Sequence, residues 1–151
     1  MNTSKLAFLD GMLGKELGPS DAVQVTQERI DAFADATLDH QWIHVDRDRA
    51  AAGPFGGTVG HGYLTLSLLV HLLTTTGLFP QGVTVINYGI DKVRFPSPLP
   101  SGSSVRLTGR VVDLQPKGEG RVLAKIACEV TAEGVTTPAL VAEVLYLYVA
   151  D

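Results

Sequence analysis

Up to residue 76 the apolar positions recur mostly at helical spacing, and beyond it they alternate. Leu6, Leu9, Met12 and Leu13 follow Ser4, a capping residue type, and Gly14 stops the run. Val23 and Val25 share one face of residues 21–26, which predicts a strand. Thr26 then caps a predicted helix in which Ile30, Phe33 and Ala34 fall on one side. From Gly62 to Thr76 the chain is Leu-dense and apolar nearly all round, which predicts a helix buried on most sides and closed by Gly77. Residues 83–95, 104–114, 121–131 and 139–149 read as strands, the last apolar on both faces as a central strand would be. Turn chemistry separates them, so they pair antiparallel. The composite is an α+β layout, one antiparallel sheet curled around one long buried helix.

Between Ala36 and Gly60 neither period holds. This stretch is polar, rich in Gly and His, and anchored by Trp42, Ile43, Val45 and Phe55. A loop of such length in a compact domain is functional or disordered, and those apolar residues argue for function.

With 151 residues, 45% apolar and 19% charged, the chain reads as a single domain over 1–151 with a substantial core. The formal charge of −4 lacks the basic footprint of a nucleic-acid binder. The lone Cys128 excludes an internal disulfide framework and a cysteine zinc cluster. No apolar run approaches the ~20 residues that cross a bilayer, and the first residues do not resemble a leader, so no membrane partner and a cytoplasmic setting are expected.

The irregular stretch carries the candidate chemistry. Asp39 and His44, five positions apart, converge if the chain turns between them, and such a pair holds a water and moves protons near neutral pH. The spacing alone equally fits Asp39 capping a turn and His44 as a packed polar residue. Gly60-His61-Gly62 stands where the loop enters the buried helix. Free N–H groups there suit a developing oxyanion, and glycine lets a ligand oxygen come close; close packing is the plainer explanation of both glycines. Ser67, on the Leu-dense helix, needs a partner, either the carbonyl four residues back or a polar group of the site. His40 and His44 are four apart, but Gln41 breaks the HExxH pattern and no third ligand is obvious, though His61 or Asp46 could be proposed, so no metal is expected.

Asp39-x4-His44-x-Asp46, then Gly60-His61-Gly62, a buried helix and four strands together resemble the MaoC-like (R)-specific enoyl-CoA hydratases. Within them, Asp39-His40-Gln41-Trp42-Ile43-His44-Val45-Asp46 and the segment from Tyr88 to Leu99 look like the single-domain, nodulation-protein-N-like members. The similarity covers essentially the whole chain. It implies a hot-dog fold, a homodimer joined sheet edge to sheet edge, and an acyl-CoA thioester as substrate with no further cofactor. Asp39 and His44 would match the catalytic pair that adds water to a trans-2-enoyl-CoA, giving the (R)-3-hydroxyacyl-CoA. The Gly62 amide would match the donor to the thioester oxygen, and Ser67 a helix serine supporting the pair. Gln41 stands where many hydratases carry asparagine, and His61 and Gly60 would flank the substrate. Phe55, in Gly53-Pro54-Phe55-Gly56-Gly57, would form a rim of the acyl pocket. Lys92, Arg94 and Arg106 are candidates for the CoA phosphates or simply a solvated strand face. Leu38 occupies a place where the motif usually has glycine; leucine disfavours positive φ, so the turn before Asp39 is expected to differ. The alternatives are a hot-dog thioesterase and a non-catalytic acyl-thioester-binding or assembly subunit.

Overall fold

The computed structural model describes residues 3–118 and 120–150, with side chains from residue 5 onward; the expected Ser4 cap therefore lies outside the described side chains. Thr3–Gly11 forms a 3-10 helix rather than an α-helix, and buries Leu6 and Leu9. Leu13 is instead 58% exposed. Two short strands follow, β1 (Glu16–Leu17) and β2 (Val23–Gln24). Helix α1 (Gln27–Thr37) begins where expected, with the Thr26 hydroxyl accepting from the Arg29 amide, and it buries Ile30 and Ala34.

The stretch expected as a loop holds two short helices, α2 (Trp42–Val45) and α3 (Arg47–Ala51). Asp46 makes the second possible, its carboxylate accepting from the Arg49 amide at 3.0 Å. Arg49 lies 4.4 Å over the Trp42 ring, which fixes the two helices to each other.

The long predicted helix is two six-residue pieces, α4 (Gly62–Ser67) and α5 (Leu69–Thr74), joined through Leu68 in helical conformation. Leu64, Leu68, Leu69, Leu72 and Leu73 face inward and are buried. Tyr63, Ser67, Val70, His71 and Thr74 make an exposed stripe, so the helix is not buried on most sides. Sequence hydrophobicity misled there because two of the stripe's residues, Tyr63 and Val70, are themselves apolar.

Four long strands complete the chain, β3 (Val83–Arg94), β4 (Ser104–Pro116), β5 (Arg121–Ala132) and β6 (Leu140–Ala150). All pair antiparallel in the order β1-β4-β5-β6-β3, with β2 also on β4. Strand β6 is central, as its two-sided apolar pattern foretold. Alternate residues such as Val105, Leu107, Ile126, Val130, Leu140 and Val144 point at the helix and form the core with its leucines. Each such side chain, fully buried, contributes about 1.5–3 kcal/mol. This is the α+β hot-dog arrangement, a sheet wrapped around a central helix. Cys128 is buried in the core, where desolvation pushes its thiol up to about 12. Among the described residues, no helix is long and apolar enough to cross a membrane.

Candidate active site

Helix α1 ends at Leu38, which takes φ 63 and ψ 19. A leucine in the left-handed region contradicts the expected change of turn: this residue makes the turn a glycine would, at a backbone cost of roughly 1–2 kcal/mol. The turn brings Asp39 to within 4.8 Å of ring nitrogens of His44 and His61. Asp35 pairs with His40 at the surface at 2.8 Å, and Asp46 is spent on its cap. Asp39 accepts through Oδ1 from the Gln41 amide at 3.4 Å, the turn cap that its spacing also allowed, and its carboxylate keeps further acceptor capacity.

His44 sits on α2 and is buried. Its Nδ1 lies 2.6 Å from the Val59 carbonyl oxygen. A carbonyl only accepts, so the proton is on Nδ1 and the lone pair on Nε2 is open. The main chain on both sides of this bond is tied by Gln27 of α1. Its amide donates to the His44 carbonyl at 2.8 Å and accepts from the Thr58 hydroxyl. Val59 N–H in turn donates to the Ile43 carbonyl at 3.0 Å. Nothing in the sequence pointed to Gln27, whose partners lie 17 and 31 positions away.

One nitrogen or oxygen each of Asp39, His44 and His61 lies within 4.8 Å of the others. Such a spacing could hold a cation, but the two imidazoles stack, ring centres 3.8 Å apart and planes 23° from parallel. Ring lone pairs lie in the ring plane, so two stacked rings do not converge on one ion without a rotation of one of them. A water, which donates to two acceptors and demands no such convergence, suits Asp39 and His44 better.

A hollow of about 280 Å³ adjoins His44, lined by His44, Ile43, Phe55, Gly60, Gly62, Thr65, Phe95 and Leu99 among others; Asp39 is not among its lining residues. Gly62 opens α4, and first-turn amides have no partner within their own helix. A Cβ on Gly62 would stand 3.0 Å from the Phe95 ring, so any larger residue there crowds that ring unless it moves aside. Thr65, one helical turn on, is 2% exposed in the same wall; the sequence reading passed over it.

Several expected site residues stand elsewhere. Ser67 is exposed, donates to the Tyr63 carbonyl at 2.7 Å and lines a different groove, so it does not support the pair. The period of the helix explains this: Thr65 falls on the inner side with Leu64 and Leu68, Ser67 on the outer side with Tyr63. His61 is 2% exposed and packs behind His44 rather than lining the hollow. Gln41 is exposed and precedes α2 as its cap position, without a side-chain capping bond. Lys92 and Arg94 lie in a trough on the outer face of the sheet with Glu16, Arg110, Glu129 and Glu143. Lys92 pairs there with Glu143 at 3.5 Å, and Arg94 donates to the Val93 carbonyl at 2.7 Å. Arg106 is held by Glu133 and the Ser20 carbonyl. Within one protomer none of these cations is brought to the hollow.

Burial lowers the pKa of His44 below its ordinary 6.5; the Val59 carbonyl opposes this, His61 adds to it, and the Asp39 charge opposes it. A lowered histidine binds its proton less readily folded than unfolded. Its contribution to stability is therefore complete above about pH 6.5 and is lost as pH falls toward the folded value. Denaturant titrations across that window are expected to show wild-type stability declining with acid, and His44→Gln declining less steeply.

A family model described as "MaoC like domain" matches residues 9–136. The chain is 49% identical to 3-hydroxyacyl-thioester dehydratase Z of Mycobacterium tuberculosis over 145 residues, 96% of both chains. It is 44% identical to nodulation protein N of Rhizobium leguminosarum bv. viciae, over 94% of this chain and 89% of that one. Among solved structures, an (R)-hydratase from A. caviae involved in PHA biosynthesis superposes with a TM-score of 0.73 at 22% identity, covering 89% of this chain and 94% of the other.

Proposed function

Since the chain belongs to the MaoC-like domain family of hydro-lyases, we propose that it interconverts trans-2-enoyl-CoA and (R)-3-hydroxyacyl-CoA by adding or removing water. The observation that carries this reading is the meeting of Asp39 and His44 within 4.8 Å, with His44 and Gly62 lining one hollow. In hydration the water oxygen bonds to C3 while the pair takes one of its protons. A proton passes from the pair to C2, and the pair ends as it began. His44 accepts at the open Nε2, with Nδ1–H held by Val59. Charge that builds on the thioester oxygen meets the Gly62 amide, a donor type worth ~3 kcal/mol to a transition state. The same barrier is lowered for dehydration, so both directions follow from one site. No resident cofactor enters this scheme, and the assignment of (R) stereochemistry rests on the family.

The test is incubation with crotonyl-CoA and longer enoyl-CoAs. Loss of the enoyl absorbance with the thioester intact, and (R)-3-hydroxyacyl-CoA on chiral analysis, supports the reading. Release of free thiol from saturated acyl-CoA would replace it with a thioesterase, and binding without turnover would replace it with an acyl-thioester-binding subunit.

A homodimer belongs to the same proposal. Strand β3 ends the sheet order and exposes Ile86, Tyr88 and Ile90, and the neighbouring helix exposes Tyr63 and Val70. An apolar sheet edge of this length is a pairing surface unless covered. Sedimentation equilibrium is expected to give twice the 16.0 kDa chain mass, and Tyr88→Lys, which charges that edge, is expected to shift the equilibrium toward monomer.

A further inference from the structure

His61 is a buried titratable group beside the site that the scheme above leaves without a task. Three contacts surround it. Its Nε2 lies 3.0 Å from the Asp39 main-chain oxygen. One side of its ring stacks on His44 at 3.8 Å, and the Phe33 ring of α1 lies 5.0 Å away at 56°. Its Nδ1 is buried with no hydrogen-bond partner among the described residues. The carbonyl at Asp39 accepts only, so His61 carries its proton on Nε2, the opposite tautomer to His44.

A residue needed only to fill this space would be apolar. Phenylalanine would reproduce the stacking without burying an orphaned nitrogen. The one thing an aromatic hydrocarbon cannot supply is the N–H that grips the Asp39 main chain. Asp39 is exposed and follows a left-handed turn, and the other bond that holds it among the described residues is the long one, 3.4 Å, from the Gln41 amide to its carboxylate. Resting on the hydratase reading, we propose that His61 is a positioning residue. Its Nε2–H fixes the Asp39 main chain, and its stacked face fixes the His44 ring, so that carboxylate and open Nε2 meet around one water. His61 also opens α4 as the residue before Gly62, at φ −62 and ψ 137. One side chain thereby couples all three parts of the site.

Two variants separate its duties. His61→Phe keeps the stack and removes the donor, while His61→Gln keeps an N–H donor and removes the aromatic face. His61→Phe is expected to lower kcat by roughly ten- to a hundredfold with KM changed by less than about threefold, because a misplaced base slows the chemistry rather than binding. His61→Gln is expected to recover part of that loss. The groups facing His44 are the Val59 carbonyl, the Asp39 carboxylate and His61. With His61 gone, His44 is expected to titrate at higher pH, and the acid limb of kcat/KM to move with it. Nitrogen NMR of the histidine side chains reads tautomers and titration without turnover. Wild-type kcat in His61→Phe, a loss expressed equally in KM, or a proton on Nδ1 of His61 would overturn the proposal. If His61→Phe fails to fold by circular dichroism, the glutamine variant and the wild-type tautomers decide alone. A wild-type protein that hydrates no enoyl thioester would sink the function instead, while the tautomers and the shift of the His44 titration would still judge His61.

Discussion

Asp39→Asn and His44→Gln are each expected to lower kcat for crotonyl-CoA hydration by roughly 10²–10⁴-fold, with the fold intact. Asparagine at position 39 keeps the shape of the carboxylate and loses only its charge and basicity. Glutamine at position 44 offers no ring nitrogen to receive the proton of water, whatever it retains of the bond to Val59. The double variant is expected to fall little further than the worse single, because a water held by two groups is lost when either goes. Stopped assays of the enoyl absorbance measure this directly. Turnover near the wild-type rate in either variant, with circular dichroism unchanged, would remove that side chain from the chemistry.

The second large effect concerns a backbone atom. Gly62 is the first residue of α4, a place where proline is tolerated because its missing N–H has no helical partner. The backbone of His61, at φ −62 and ψ 137, already has the extended form that a following proline requires. Gly62→Pro therefore deletes the amide donor with the helix preserved. Gly62→Ala is its control, since it adds the same Cβ 3.0 Å from the Phe95 ring but keeps the N–H. Phe95 is 39% exposed and has room to swing, so the alanine variant is expected to lose activity modestly. The proline variant is expected to lose a further 10²–10³-fold or so in kcat, the usual consequence of removing one oxyanion donor. Equal losses in the two variants would assign the whole effect to the crowded ring and none to the amide.

The sheet and α1 were legible because each is written locally: alternation with turn residues between strands, and a threonine immediately before a helical period. The convergence of Asp39 and His44 was legible only as a possibility, since five residues of separation fit several turns. What decides between those turns is held by residues remote in the chain. Gln27 and Thr58 lock the main chain around His44, and Phe33 backs His61, and no local spacing announces such partners. For Ser67 the first of the two alternatives holds, the carbonyl four residues back, and the role implied by the resemblance is not met. A helical serine that bonds its own backbone and one that serves a site look alike in sequence, and only the helix's orientation separates Ser67 from Thr65. Lys92 and Arg94 stand on a strand face, the second of their two alternatives, and no single protomer brings them to the hollow. A period of two places both on one face of β3 but does not say whether that face looks at the hollow or away from it.

Leu38 bears on how such signatures change over time. Its left-handed backbone costs roughly 1–2 kcal/mol against glycine. Glycine, however, gives the unfolded chain more freedom, an opposing penalty of about 0.4–1 kcal/mol. The net difference is a small fraction of ordinary folding stability. Exchange between the two amino acids is thus nearly neutral, and a lineage can lose the letter that marks the turn while keeping the turn itself. Pattern searches that insist on glycine ahead of the aspartate would pass over chains whose geometry is intact.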